Sequence, residues 1–131
     1  MAVANRSVPF VGDIVARAHA NPYFREVVST GPHAQLVVMA IPPDGEIGEE
    51  THEGVDQVLV FTEGTGRAEL DGERSPIAAG TLVHVPAGTR HNIVNEGPTH
   101  LRLYTVYAPP QHAPGTIHRT KAEADADDEH A

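Results

Sequence analysis

The stretch GTLVHVPAGTRHNIVN, residues 80–95, reads as two short strands joined by one sharp turn. Val83 and Val85 alternate with Leu82 and His84, the period-2 pattern of a strand with one apolar face. His84 is out of phase with the two valines, so it is expected on the outer surface. Pro86 cannot donate to a ladder and closes the first strand, and Gly88 supplies the backbone freedom for the turn. On the second strand His91 shares a face with Ile93, while Arg90 and Asn92 face away. An imidazole on the apolar face of a strand is aimed at an interior, which makes it a candidate ligand.

A second stretch, GEIGEETHEGVDQVLVFTEGTG (residues 45–66), supplies possible companions. Residues two apart on a strand share a face, so Glu50 and His52 point together and Thr51 and Glu53 point away. Past the EGVD bend, Gln57, Leu59 and Phe61 share one face of the next strand, and Asp56 is expected outward. An antiparallel pairing would bring Gln57 opposite the Glu50–His52 pair. The expected result is one pocket lined by Glu50, His52, Gln57 and His91 over an apolar floor. Phe61 is assigned to that pocket, and so is Tyr107, which shares a face with Leu101 and Leu103 and whose ring also serves core packing.

Elsewhere the chain is short runs punctuated by Gly and Pro. FVGDIVARAHA (10–20) places Phe10, Ile14, Val15 and Ala18 on one helical face, and Asn21-Pro22 stops it. FREVVST, AQLVVMAI, DQVLVFTEG, RAEL, TLVHVP, HNIVN and LRLYTVYAP are strand-like, with Asp71-Gly72 as a hairpin signal. Such spacing predicts an all-β barrel or sandwich rather than α/β. Thr120 and Glu123 have capping-box spacing, compatible with a short terminal helix.

The length of 131 residues suits one domain. The expected division is an N-terminal helical extension (1–22), a barrel (23–110) and a polar acidic C-terminal tail (111–131). Net charge is −9, and no basic stripe is present, which argues against a nucleic-acid partner. There are no cysteines, so thiolate metal sites, disulfides and cysteine nucleophiles are excluded. Nine histidines raise the question of a metal. His19, His112, His118 and His130 fall in polar or terminal stretches and are expected to have no role, and His100 is read as a loop residue. No run approaches membrane-spanning length, and no secretory signal is evident, so the expected location is the cytoplasm.

Gly80, Pro86, Gly88, His91 and Asn95 together match the second conserved motif of the cupins, and the chain resembles a small single-domain bacterial cupin. The first cupin motif is met in degenerate form. Glu50 and His52 take its two histidine places, Gln57 its glutamate place, and Gly64 closes it. The resemblance implies a cupin-type barrel, a double-stranded β-helix or jelly roll, preceded here by a short helix. It also implies one divalent transition metal held by Glu50, His52, Gln57 and His91. Two imidazoles and a carboxylate suit Fe, Mn, Ni or Zn, whereas Gln57 offers only a neutral oxygen. Glu50 would serve as a ligand or as a general base with a raised pKa. The expected function is a metal-dependent enzyme acting on a small oxygen-rich metabolite, of isomerase, cyclase or dioxygenase type. The alternative is a metal-free or structurally metallated protein that binds a sugar-like or aromatic small molecule. A homodimer is expected, with strands in 23–41 pairing across a two-fold axis.

Overall fold

The computed structural model describes residues 9–129; His130 lies outside them. Ten strands and two helices follow in the order α1 (Ile14–Ala20), β1 (Arg25–Thr30), β2 (Gln35–Ile41), β3 (Glu50–Thr51), β4 (Asp56–Glu63), β5 (Gly66–Leu70), β6 (Glu73–Ile77), β7 (Leu82–Val85), β8 (Arg90–Asn95), β9 (Leu101–Ala108), β10 (Ile117–His118) and α2 (Lys121–Glu129). All pairings are antiparallel. One sheet has the order β10-β1-β2-β9-β4-β7 and the other β3-β8-β5-β6. Their inner faces meet in one apolar core that includes Leu59, Phe61, Ile93, Leu101 and Leu103. The all-β barrel with a short helix near its N-terminus is therefore the architecture found.

The N-terminal helix is shorter than the sequence pattern suggests. Asp13 caps it, accepting a hydrogen bond from the Ala16 amide at 3.0 Å, and so fixes Ile14 as the first helical residue. Ala18 is fully buried while Val15 is 45% exposed, so the packed face is narrower than a stripe through Phe10, Ile14, Val15 and Ala18. That face lies on β2, β4 and β9. It covers the outer side of β2, which explains why Val38 and Ala40 are buried along with Val37 and Met39.

Two elements of only two residues, β3 and β10, carry too little pattern to be read from sequence. Pro76 lies on β6, an edge strand, where its missing amide removes no internal ladder bond. Gly66 faces a tight approach: a Cβ there would run into the Val94 carbonyl oxygen of the paired strand β8. Asn95 acts as a clamp. Its Nδ2 donates to the carbonyls of Ile41 and Thr99, both at 2.9 Å, and its Oδ1 accepts from the Gly97 amide at 2.9 Å.

The segment after Pro110 folds back onto the barrel. β10 pairs with β1 at Arg25 opposite His118, and α2 tucks Ala124 into the core. Thr120 caps α2 by accepting from the Glu123 amide at 3.2 Å, and the Glu123 carboxylate accepts from the Arg119 amide at 2.9 Å. The outer edge of β1, assigned above to subunit pairing, is thus partly taken by β10. The exposed edge at the other end of that sheet is β7, where Leu82 is 59% exposed.

Candidate metal centre

The pairing of β3 with β8 sets Glu50 directly opposite His91, a register that brings side chains on one face within reach of each other. His52 follows immediately after β3, and its ring centroid lies 5.2 Å from that of His91. The candidate ligand atoms of Glu50, His52 and His91 all fall within 4.8 Å of one another. His52 Nε2 lies 3.6 Å from Glu50 Oε1, an ion-pair distance too long for a good hydrogen bond.

His91 carries the most specific signal. Only 4% of it is exposed, and its Nδ1 sits 2.9 Å from the Thr89 carbonyl oxygen. A carbonyl can only accept, so the proton is on Nδ1 and the lone pair is on Nε2. That Nε2 is buried and has no hydrogen-bond partner. A buried acceptor without a partner is costly unless something occupies it. A backbone-oriented imidazole with its free nitrogen beside a second imidazole and a carboxylate is the arrangement that a divalent metal satisfies. The donor set fits.

Burial alone would raise the Glu50 pKa. The facing His52, with Arg25 and His91 behind it, outweighs that cost and holds the carboxyl below its ordinary value. The raised pKa expected of a buried general base is therefore not found. An ionised Glu50 is matched to holding a cation.

Gln57 comes from the other sheet rather than from a strand paired with β3. It lies on β4, opposite both Tyr107 and Val85. It is 3% exposed, and its Nε2 donates to Thr105 Oγ1 at 3.1 Å. Asp56 is exposed and accepts from the Ala87 amide at 2.8 Å, pinning the turn before β8. His84 is exposed, as expected. Asn92 is buried despite facing away from His91, because it bonds Glu46 at 2.7 Å and the Gly48 amide at 2.9 Å.

A cleft of roughly 210 Å³ opens beside Glu50 and His52, walled by Arg25, Thr51, Tyr107, Gln111 and His112. Tyr107 thus lines it, whereas Phe61 is 1% exposed in the apolar core and does not. Arg25 and His112 were not singled out by sequence reading. His112 is placed by Gln35, a fully buried amide whose Oε1 accepts from the His112 amide at 3.0 Å and whose Nε2 donates to the His112 carbonyl at 2.7 Å. The signal was a lone glutamine opening the apolar run QLVVMAI. His118 is also buried, against the expectation for a polar stretch.

Burial, reinforced by the Arg25 charge, pushes the His112 imidazole down to about 3 from its ordinary 6.5. The unfolded chain takes up a proton there as pH falls below 6.5, whereas the folded chain does not until about 3. Stability is therefore lost on acidification through that window. Urea titrations should show the wild type losing up to about 1.4 kcal/mol more per pH unit between those limits than His112→Gln. Parallel pH profiles would contradict the buried neutral imidazole.

A family model described as a cupin domain matches residues 37–107. An uncharacterized protein of Bacillus subtilis, YrkC, is 41% identical over 123 residues, which cover 88% of this chain and 66% of the relative. The chain thus spans about two thirds of that relative's length. A crystal structure of a Bacillus halodurans protein matches with a TM-score of 0.89 at 38% identity, over 91% of this chain and 95% of the other. A Thermotoga maritima protein named as oxalate-binding is 32% identical over 68 residues, 52% of this chain and 56% of its own.

Proposed function

This chain belongs to the cupin family, and on that premise we propose that it is a divalent-metal-dependent enzyme acting on a small oxygen-rich metabolite. The observation that carries this reading is His91, whose buried Nε2 lacks a partner beside Glu50 and His52. His52, His91 and Glu50 would hold Fe, Mn, Ni or Zn, ions suited to mixed imidazole and carboxylate ligation. Bound there, the ion would supply Lewis-acid polarisation of a substrate oxygen or, if iron, access to oxygen chemistry.

The protein's own groups divide the remaining work. Thr89 fixes the His91 tautomer through its carbonyl. Glu50, held ionised, serves as a ligand in preference to a proton store. Gln57 has its amide nitrogen committed to Thr105, so only its carbonyl oxygen is on offer, and it stands outside both the Glu50–His52–His91 cluster and the lining of the cleft. Tyr107 gives the cleft one aromatic side. Isomerase, cyclase and dioxygenase chemistry all fit this frame.

A second reading, a binding protein without turnover, draws on the oxalate-binding name of the Thermotoga maritima relative and on the carboxylate standing where a third histidine would complete the motif. Protein purified without an affinity tag decides between them. Chelation should abolish oxygen uptake, isomerisation or cyclisation of candidate oxo- and hydroxy-acids, and one of the four ions should restore it. No bound metal, and none taken up on reconstitution, would overturn the enzyme reading.

A further inference from the structure

Arg25 is the cleft residue that metal chemistry leaves unused. It lies on β1, is 3% exposed, and its guanidinium sits 5.4 Å from the Phe24 ring centroid. Its Nη1 meets His118 Nδ1 at 3.1 Å. A guanidinium can only donate, so His118 accepts on Nδ1 and carries its proton on Nε2. That Nε2 lies 2.9 Å from the Asp127 carboxylate, which therefore receives the proton's hydrogen bond. A neutral imidazole thus holds Arg25 in place without cancelling its charge.

The nearest opposing charge on the cleft is Glu50, which feels Arg25 without pairing with it. Among the described residues Arg25 forms no ion pair with a carboxylate, and its Nε is buried with no hydrogen-bond partner. Leaving a buried cation in that state is costly, and such groups are paired as a rule. Beside it, His112 Nε2 is buried and unpartnered as well, with its ring 5.1 Å from Tyr107 and 6.1 Å from His118. Arg25 and His112 line the same cleft as Glu50 and His52. Two residues that each carry a buried unpartnered nitrogen, one of them permanently charged, therefore line the cleft next to the candidate metal.

We propose that Arg25, with His112 beside it, is the anchor for a carboxylate group of a small dicarboxylic or oxo-acid, which spans the cleft with its other oxygens toward Glu50, His52 and His91. The far end of that pose rests on the metal-centre reading; the anchor itself does not. The planar donor fork of arginine matches a carboxylate better than any other side chain does. The cleft volume of roughly 210 Å³ limits the ligand to a few carbons. His118 and Asp127 are positioning residues for the guanidinium, brought to it by the return of the chain through β10 and α2.

The test is calorimetric binding of malonate and succinate, with malonamide as the uncharged counterpart, to the protein with and without added Mn or Zn. At least one dicarboxylate should bind wild-type protein, and malonamide should bind at least tenfold more weakly than malonate. Arg25→Gln should weaken the dicarboxylate at least tenfold with metal content unchanged. Arg25→Lys, which keeps the buried charge and guards against a folding failure, should lie between the two. Failure of both dicarboxylates to bind, equal binding of malonamide, or unchanged affinity in Arg25→Gln would each overturn the anchor and leave the metal centre standing. Arg25-dependent binding in a protein that takes up no metal would support the anchor while refuting the metalloenzyme reading.

Discussion

Replacing His91 with alanine is expected to strip the protein of bound divalent metal. Loss of a residue that merely orients a ligand typically costs roughly 10- to 100-fold in affinity, and removal of a ligand must cost more. With only Glu50 and His52 left, affinity should drop by more than about a hundredfold. Elemental analysis after dialysis would then fall from near one equivalent to background. The same substitution relieves the unpartnered Nε2, so the matching expectation is a melt close to that of metal-free wild type, with the stabilisation that added metal gives wild type absent from the variant. Glu50→Gln keeps an oxygen but removes the charge, and should give an intermediate loss. His84→Ala, on the exposed face of β7, should change nothing. Equal metal content in His91→Ala and wild type would refute the centre, whatever its activity.

Much of this centre was legible in sequence for a simple geometric reason. Strand alternation is local, so HNIV alone places His91 on the inner face, and ETH alone puts Glu50 with His52. The spacing of Gly80, Pro86, Gly88, His91 and Asn95 then selects the barrel. What alternation cannot give is which strands face each other. Gln57 belongs to the opposite sheet, paired with Tyr107 rather than with Glu50, because β3 is too short to announce that its partner is β8. The charged wall was hidden for a related reason. Arg25 and His118 are 93 positions apart, joined by a two-residue strand that carries no periodicity. Nothing local distinguishes His112 or His118 from a solvent-facing histidine, since their burial is created by Gln35 and by the chain's return. The Glu50 pKa follows the same logic. Burial argues for an upward shift, and only the assembled His52, Arg25 and His91 around it reverse the sign.

Phe61 poses the complementary question of which apolar side chains belong to the site and which to the scaffold. It shares the inner face of β4 with Gln57 and Leu59, and on alternation alone it is a pocket wall. In the folded chain it is 1% exposed, with core neighbours on both sheets and no part of the cleft. The ladder beside it shifts register between Phe61 and Glu63, opposite Leu103 and Arg102, so the ring closes the interior at the point where the strand bends. Truncation to alanine removes a full aromatic ring from a packed interior and leaves a cavity that a two-sheet core can only partly collapse. Phe61→Ala should cost about 3–5 kcal/mol in urea unfolding, a large share of the total for a domain of this size. At low temperature, where the variant is still folded, its metal content and malonate affinity should stay within about twofold of wild type, since distant sites contribute independently. A loss below about 1 kcal/mol, which would be anomalous for a buried phenylalanine, would show that the ring is not packed as described. Selective loss of ligand affinity at unchanged stability would return Phe61 to the pocket wall.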